Sequence, residues 1–341
     1  MFRVALIGLG YISETHLKNF TAVPDVQITA IADIDSQRLD RCARNYSVSQ
    51  KFLDYRQLLE LKQLDLVVVC LPNHLHAEAT IAALNSGHHV LCEKPIATTL
   101  SDAEAMVDAA RINKKTLSVA MNFRWQFFGP DSFYLRNLIQ NGQLGQIYYT
   151  RVRYLRQQTF PACGSGRWNL NETESGGGVL IDLGPHMLDL AMWLMDDYSV
   201  RRVSGITHSG HIKNTAVESF ASGVIVLGRG TRISMDLAWN CHNESVWQLE
   251  IYGEEGGAII EKDQPKGKRV RLFSSTGDEP IAYQLAPGSR SAPPEQSLQE
   301  HVINRLALGQ EPDCSGELAV QVMRAIDAWY QSDKNGKEVI I

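Results

Sequence analysis

The sequence has little that would mark a nucleic-acid-binding, membrane or secreted protein. Its 341 residues carry 33 lysines and arginines against 38 aspartates and glutamates, and the net charge of −5 leaves no positive surplus for a phosphate backbone or an anionic membrane. The six cysteines include no C-x-x-C pair, which is typical of reduced thiols. No apolar run approaches the ~20 residues of a membrane span, and the first run, Val4–Ile7, ends at Gly8, too early for an export signal. We therefore expect a cytoplasmic protein with neither a nucleic-acid nor a membrane partner.

The first 122 residues alternate short apolar segments with helical patterns. The expected strands are Val4–Ile7, Ile28–Ala32, Leu66–Leu71, His89–Cys92 and Leu117–Ala120. Most of them are apolar throughout, as in strands buried on both faces. Between them, Ala77–Leu84 has helical spacing, and another helix is expected from Ser101, whose Glu104 completes an S-x-x-E capping box. This alternation predicts βαβ units and a parallel sheet, hence an α/β domain over residues 1–122.

The pattern changes in residues 123–341, the predicted second domain. Ile233, Met235 and Leu237 alternate with polar residues, and Val246–Ile260 is interpreted as a hairpin broken at residues 253–257. Such one-sided strands predict a mostly antiparallel sheet whose second face is covered by helices or by another subunit. Residues 285–297 are expected to form a loop, and an apolar stripe predicts a closing helix over 316–331 that packs back on the first domain.

A glycine turn, Gly8-Leu9-Gly10-Tyr11-Ile12-Ser13, follows the first strand. A dinucleotide-binding turn needs its first glycine for tightness and its second for close approach of the pyrophosphate, which the next helix N-terminus then holds. Ser13 stands at the third glycine position of that pattern. Asp33 ends the second strand, where a carboxylate accepts hydrogen bonds from the adenosine ribose. Its charge would repel a 2′-phosphate, which favours NAD over NADP; the alternative is that Asp33 only caps the next helix.

Glu93-Lys94-Pro95 follows another buried strand. Ligands of open α/β sheets bind at the carboxyl ends of the strands, so Lys94 is placed to act as an acid or base on a substrate. Pro95 restricts the preceding backbone and could form a cis peptide bond. The alternative is an ordinary surface lysine.

The longest motif runs from Gly176 to Asp189 and contains Asp182 and His186. On a helix, the spacing i, i+4, i+7 of Asp182, His186 and Asp189 puts all three on one face, and a carboxylate one turn from an imidazole can orient it for proton transfer. Pro185 weakens this prediction, because the helix could start there and leave Asp182 in the preceding turn.

Two other interpretations of this motif stay open. Asp182 could simply cap the helix, or Asp182 and His186 could be metal ligands. Zinc normally needs three or four ligands, and the obvious additions, His74 and His76, lie in a different segment. We therefore predict no metal.

Taken together, these motifs resemble those of the Gfo/Idh/MocA oxidoreductase family. They occur in the family's order over nearly the whole chain: Gly8 and Gly10 with His16, Asp33, Leu71-Pro72-Asn73 with His76, Glu93-Lys94-Pro95, Asn122-Phe123-Arg124, and Asp182, Gly184, His186 and Asp189. The resemblance implies an N-terminal Rossmann domain and a C-terminal α+β domain with a large open sheet that forms homodimers or homotetramers.

The resemblance also implies a role for each site residue. Lys94 would hydrogen-bond the reacting oxygen, His186 would be the general base in oxidation and the acid in reduction, and Asp182 would orient His186 or hold another hydroxyl. The residues that would hold NAD are Gly8, Gly10, Tyr11, Ile12, Asp33, Leu71, Pro72, Asn73, His76, Glu93, Lys94 and Asn122. The residues that would contact the substrate are Lys94, Arg124, Trp168, Asp182 and His186.

The reaction implied is hydride transfer between the nicotinamide and a ring carbinol of a sugar, amino sugar, sugar derivative or cyclitol. A polar and aromatic cluster suits such a substrate, or is only a solvated strand edge; its members are Arg153, Tyr154, Arg156, Gln157, Trp168 and Asn169. Two alternatives remain: an NAD-dependent glycoside hydrolase that oxidises its sugar transiently, and a non-catalytic nucleotide-binding regulator. A regulator would not need Lys94, Asp182 and His186 together.

Overall fold

The computed structural model describes residues 1–157, 167–209, 215, 217–264, 269–274, 281–282 and 295–341. The chain divides into two compact units, neither of which is one continuous stretch of sequence. Unit 1 comprises Met1–Ala120, Cys163–Gly176 and Ser297–Val320. Unit 2 comprises Met121–Ala162, Gly177–Gln296 and Gln321–Ile341. The expected division into residues 1–122 and 123–341, which assigns all later segments to the second domain, stays a prediction.

The first part of unit 1 alternates strands and helices as predicted. In chain order these are β1 (Phe2–Ile7), α1 (Ser13–Ala22), β2 (Val26–Ala32), α2 (Ser36–Tyr46), β3 (Gln50–Phe52), α3 (Tyr55–Leu59), β4 (Leu66–Val69), α4 (His76–Asn85), β5 (His89–Cys92), α5 (Leu100–Asn113) and β6 (Leu117–Val119). Within the described residues, the six strands form one parallel sheet in the order β3-β2-β1-β4-β5-β6. This is the Rossmann arrangement, and the order reverses between β1 and β4, the switch point beside which such sheets bind ligands.

Helix α5 is capped two residues earlier than predicted. Its N-cap is Thr99, whose hydroxyl accepts the Asp102 N–H at 3.1 Å and donates to the Asp102 carboxylate at 2.7 Å. Thr99 thus takes the N-cap position expected of Ser101, because the helix begins at Leu100, one residue before Ser101.

The rest of the chain supplies a second sheet and further helices. In chain order these are α6 (Pro130–Gln140), β7 (Ile147–Leu155), α7 (Glu172–Ser175), α8 (Val179–Met195), β8 (Val200–His208), β9 (Phe220–Leu227), β10 (Arg232–Ala238), β11 (Val246–Gly253), β12 (Gly256–Glu261), β13 (Val270–Ser274), β14 (Ile281–Ala282), α9 (Leu298–Ala307), α10 (Gly316–Asn335) and β15 (Val339–Ile340). In the part of the chain that is described, nine strands pair in the order β14-β13-β12-β11-β7-β10-β9-β8-β15.

The second sheet is mostly antiparallel, as predicted. Among the described strands, the central β7–β10 pair is the one parallel pair. The expected hairpin is formed by β11 and β12. Ile233, Met235 and Leu237 are fully buried on the face of β10 that α8 covers. The opposite face carries partly exposed polar side chains and the exposed Ile206, Val224 and Tyr252.

The C-terminal helices only partly follow the sequence prediction. The closing helix expected over 316–331 is α10, whose Val322, Ile326 and Trp329 are buried. Helix α9 was not predicted; its N-cap Ser297 accepts the Glu300 N–H at 3.1 Å. Of the loop expected over 285–297, residues 285–294 lie outside the described residues.

Helix α8 is the core helix of unit 2. Among the described residues, the stretch Glu172–Met195 is long and apolar enough, by composition, to cross a membrane. However, 89% of its most apolar window is buried inside the protein. A helix covered in this way on almost every side behaves as the core helix of a globular fold.

Candidate active site

The glycine turn after β1 has the geometry that a dinucleotide needs. Gly8 has φ +89°, and a Cβ there would lie 2.4 Å from the carbonyl oxygen of Cys70, so only glycine fits. A Cβ at Gly10, in contrast, would meet no protein atom within 4 Å. Open space at Gly10 is what close approach of a ligand to the backbone requires. Ser13, at the third position, is buried and donates its hydroxyl hydrogen bond to the Gly10 carbonyl at 2.6 Å.

The N-terminus of α1 follows this turn without a side-chain cap. Its N-cap is Ile12, which has no polar side chain to bond the first N–H groups, and the preceding Tyr11 is exposed. The N–H groups of a helix start and the positive end of its dipole attract phosphate. The turn and the helix start therefore fit the pyrophosphate of a dinucleotide.

Asp33 lies at the end of β2 and is nearly buried. Its two carboxylate oxygens accept the N–H groups of Leu9 at 2.7 Å and Asp35 at 2.8 Å. Helix α2 is capped by Asp35, which accepts the N–H groups of Gln37 and Arg38. The alternative that Asp33 only caps the next helix is therefore wrong: Asp35 is the cap, and Asp33 ties the glycine turn to β2, with its Oδ2 also 3.8 Å from Arg38 Nη1.

The loop after β4 is held to the loop after β5 by His76. The His76 ring is buried, with Nδ1 2.7 Å from the carbonyl of Pro95 and Nε2 2.8 Å from that of Leu71. Burial lowers the pKa of His76, although both carbonyls oppose the shift. With both ring nitrogens facing backbone oxygens, His76 supports the loop that carries Leu71 and Pro72, and its contact with the cofactor stays a prediction. Asn73 donates to the carbonyl of Ser175 at 2.8 Å, which leaves its side-chain oxygen to other partners.

Glu93 and Lys94 follow β5. Glu93 is buried, with Oε1 2.8 Å from His16 Nε2 and Oε2 accepting the Lys94 N–H at 3.1 Å. Burial alone would raise the pKa of Glu93, but the hydrogen bond from His16, together with the charge and the backbone N–H of Lys94, holds it below its ordinary 4.5. Lys94 is half-buried, and the Lys94–Pro95 peptide bond is cis, as expected.

His186 lies on α8, and this helix starts before Pro185, the start that the sequence suggested. The helix runs unbroken from Val179 through Pro185, so Asp182, His186 and Asp189 do share one helix at i, i+4, i+7. The expectation that Asp182 lies in a preceding turn or caps the helix is wrong, since the N-cap is Gly178.

The two polar side chains of this helix have defined neighbours. The half-buried His186 ring stacks on Phe123, with 4.0 Å between ring centroids and 8° between planes. Asp182 accepts the indole N–H of Trp239 at 2.8 Å. Both side chains are thus held by aromatic residues of unit 2.

The start of α8 depends on Glu218, which the sequence analysis missed. Its carboxylate accepts the N–H groups of Gly178 at 2.8 Å and Leu180 at 3.0 Å, and the Tyr330 hydroxyl at 2.8 Å. A Cβ at Gly178 would lie 1.9 Å from the carbonyl oxygen of Glu218, and one at Gly177 would lie 2.2 Å from the Tyr330 hydroxyl. The glycines of the motif thus let the helix start sit directly on a buried carboxylate.

Arg124 is not available to a substrate. It is fully buried, with Nε 2.9 Å and Nη2 2.5 Å from the two oxygens of Asp189, and Nη2 also meets the Tyr198 hydroxyl at 2.7 Å. Its guanidinium group further packs over the ring of Trp193. We therefore correct the predicted substrate contact: Arg124 anchors α8, and Asp189, on the same helix as His186, is its partner.

Asn122 and Trp168 are the remaining predicted site residues. Asn122 starts a 3₁₀ turn over Asn122–Arg124 and is nearly buried; its side-chain oxygen has no hydrogen-bond partner among the described residues. Trp168 is half-buried in a 3₁₀ helix over Arg167–Leu170, which belongs to unit 1. Their contacts with cofactor and substrate stay predictions.

Three members of the predicted polar and aromatic cluster already contact other side chains of unit 2. Arg153 pairs with Glu250 at 3.0 Å on the sheet. Tyr154 is buried against Trp247, and Arg156 packs over both rings. Within the described residues, moreover, no three His, Cys, Asp or Glu side chains are grouped as a metal site.

Within unit 1, the fold brings the nucleotide-binding features to one edge of the sheet. The glycine turn, Asp33, Leu71 and Lys94 follow β1, β2, β4 and β5 respectively, and the carboxyl ends of parallel strands share an edge. Within unit 2, Asp182 and His186 share α8 with its aromatic supports. A Rossmann sheet with these residues defines a dinucleotide-dependent oxidoreductase.

The chain belongs to the Gfo/Idh/MocA family. Residues 2–121 match the model of the oxidoreductase family with an NAD-binding Rossmann fold, and residues 134–259 match the GFO/IDH/MocA C-terminal domain. The predicted resemblance, the two-part fold and the NAD cofactor are thereby confirmed.

Named relatives and solved structures agree with this assignment. The chain is 32% identical to D-glucoside 3-dehydrogenase of Escherichia coli (strain K12) over 278 residues, 76% of each chain. It is 27% identical to D-apiose dehydrogenase of Paraburkholderia graminis over 351 aligned positions, 99% of this chain and 89% of the relative. The structure of levoglucosan dehydrogenase in complex with NADH and levoglucosan has a TM-score of 0.88 at 23% identity, covering 100% of this chain and 99% of that chain. This last likeness shows the common fold.

Proposed function

We propose that the protein is an NAD-dependent dehydrogenase that acts on a ring carbinol of a sugar, amino sugar, sugar derivative or cyclitol. The observation that carries the proposal is an amine, Lys94, at the end of β5 in the unit that carries the glycine turn and Asp33. The relatives support the substrate class, because two of them are named for the sugars glucoside and apiose.

Lys94 and His186 are the proposed proton-transfer groups. When bound, NAD supplies the nicotinamide carbon that takes or gives the hydride. Lys94 hydrogen-bonds the oxygen whose carbon is oxidised, and His186 removes the hydroxyl proton in oxidation and returns it in reduction. Asp182, held by the Trp239 indole N–H, orients His186 or takes a neighbouring substrate hydroxyl.

The turn residues and strand ends are the proposed holders of NAD. Gly8, Gly10, Tyr11 and Ile12 would hold the pyrophosphate, because Gly10 faces open space and the start of α1 has no side-chain cap. Asp33 would accept hydrogen bonds from the adenosine ribose. On the nicotinamide side we place Leu71, Pro72, Asn73, Glu93, Lys94 and Asn122. Asp33 also favours NAD over NADP, since its carboxylate repels a 2′-phosphate.

The test is a panel of inositols, hexoses, amino sugars and glycosides, each assayed with NAD and with NADP. We expect NADH formation with at least one polyol or sugar and a clear preference for NAD. Cleavage of an aryl glycoside without net NADH would instead show a hydrolase that oxidises its sugar transiently. NADH binding without either reaction would show a regulator.

We also infer a cytoplasmic homodimer or homotetramer that assembles through the second sheet. The five cysteines among the described residues are free thiols, as in a reducing compartment. Ile206, Val224 and Tyr252 lie on one face of three strands of the sheet and are 39–60% exposed. Exposed apolar side chains grouped on one face favour burial against another subunit.

A further inference from the structure

A chain of hydrogen-bonded polar side chains leads from α9 to Lys94 in unit 1. Asn19 Nδ2 donates to Gln299 Oε1 at 2.9 Å, and Gln299 Nε2 lies 2.9 Å from His16 Nδ1. His16 Nε2 in turn lies 2.8 Å from Glu93 Oε1. His16 and Gln299 are each no more than 1% exposed. His16 follows the glycine turn in the sequence, and no role was predicted for it.

The partners determine the direction of every hydrogen bond in this chain. Gln299 receives the Asn19 N–H on its oxygen, so its amide nitrogen donates to His16 Nδ1. His16 must then carry its proton on Nε2 and donate it to Glu93. Glu93 completes the chain by accepting the Lys94 N–H on its other oxygen. The chain thus fixes one tautomer of His16 and one orientation of the Glu93 carboxylate.

We propose that Gln299, His16 and Glu93 form a positioning network for Lys94. The Glu93 carboxylate fixes the backbone at Lys94 and keeps a negative charge one residue from its ammonium group, while His16 and Gln299 keep that carboxylate ionised and oriented. The effect on turnover rests on the proposed dehydrogenase function. The effect on the Lys94 amine does not.

A purely structural role explains this arrangement less well. Burying a carboxylate costs more free energy than burying a neutral carboxamide of the same shape. Here a carboxylate is nevertheless buried beside the proposed acid–base lysine. The titratable groups that interact with Glu93 are His16, Lys94, His76, Cys70 and Cys92. Of these, Lys94 is half-exposed, whereas the other four are buried. A charge held at Glu93 therefore acts where a substrate reaches Lys94.

The test measures the Lys94 amine directly, without turnover. The rate at which trinitrobenzenesulfonate labels Lys94 is followed against pH by peptide mass spectrometry. Glu93→Gln removes the negative charge, so the midpoint pH of labelling should fall by at least about 0.5 unit. His16→Leu strands the buried carboxylate, which then binds a proton, and should lower the midpoint in the same way. His16→Gln keeps an N–H donor for Glu93 and should restore the wild-type midpoint.

A matched pair of variants tests the far end of the network. Gln299→Ala removes the donor to His16, whereas Asn304→Ala removes an exposed carboxamide from the same helix. On the substrate found in the panel, we expect Gln299→Ala to lower kcat about fivefold with the KM for NAD little changed, and Asn304→Ala to match the wild type.

The outcomes separate this proposal from the proposed function. The network is refuted if Glu93→Gln leaves the labelling midpoint unmoved, or if Gln299→Ala and Asn304→Ala give the same midpoint and turnover. If His16→Leu does not fold, Glu93→Gln still tests the network through the labelling midpoint, and Gln299→Ala tests it against Asn304→Ala. If no sugar reduces NAD but the midpoints move as expected, the network stands and the dehydrogenase proposal fails.

Discussion

At the scale of residues, one buried ion pair in this protein holds the helix that carries His186 in place. Arg124 forms a fully buried ion pair with Asp189, which lies on the same helix as His186. Removing one partner of such a pair leaves an uncompensated charge in the interior.

We predict that Arg124→Ala lowers the free energy of unfolding by about 3–5 kcal/mol, measured by denaturant titration. The control is Arg111→Ala, which breaks an exposed pair with Asp108 and should cost at most about 0.5 kcal/mol. Unchanged stability together with a raised KM for the sugar would return Arg124 to the role of substrate ligand.

A second residue-scale prediction concerns Glu93 in acid. Its pKa is lowered in the folded protein, so its contribution to stability is present above its ordinary pKa of 4.5 and is lost as the pH falls through the folded value. The stability difference between wild type and Glu93→Gln should therefore shrink as the pH is lowered below about 4.5. Chemical denaturation over a pH series measures it. A difference that stays constant, or widens in acid, would show that the carboxylate is not stabilised as described.

Motifs predicted which residues matter at this scale better than what each one does. Asp33 and Lys94 are at the ends of their strands as expected, because the glycine turn and the buried strands are local signals. The predicted role of Arg124 was wrong, because its partner lies far along the chain: Asp189 follows Arg124 by 65 residues. No local sequence pattern predicts such a pairing.

At the scale of elements, helix starts depend on which side chain reaches the first N–H groups. Thr99 caps α5, although Ser101 and Glu104 match the usual capping pattern. We predict that Thr99→Ala lowers the free energy of unfolding by about 1 kcal/mol and that Ser101→Ala changes it little, by the same denaturant titration. A larger loss from Ser101→Ala would restore the capping box first expected.

Helix α8 shows why some element boundaries could not be predicted. Pro185 suggested a start at that residue, yet the helix begins at Val179 because Glu218, 40 residues from Gly178, supplies the cap. Helix α9 was missed for a different reason: its N-cap Ser297 and Glu300 are a local signal, but Ser297 is the last residue of the segment interpreted as a loop.

At the scale of the whole molecule, the order of apolar segments was enough to predict two sheets of different kinds. Parallel pairing in the first and mostly antiparallel pairing in the second follow from continuous and alternating apolar patterns respectively. The return of Cys163–Gly176 and Ser297–Val320 to unit 1 was not predicted, because tertiary contacts, not local sequence, assign those segments.

The proposed assembly through the second sheet is tested by a matched pair of variants. Ile206 is 60% exposed on the open face of this sheet, whereas Ile112 is 79% exposed on α5 of unit 1. In size-exclusion chromatography with light scattering, we expect a wild-type dimer or tetramer that Ile206→Glu dissociates and Ile112→Glu leaves intact. A wild-type mass of one chain would contradict the assembly.

The most direct measurement compares Lys94→Ala and His186→Ala with the wild type, in turnover and in NADH binding. Lys62→Ala, an exposed lysine outside the site, serves as control. Loss of a proton-transfer group should lower kcat by about 10²–10⁴-fold, with the Kd for NADH within about twofold of the wild-type value. Full turnover in either variant, or loss of NADH binding in both, would contradict the proposed roles of the amine and the imidazole.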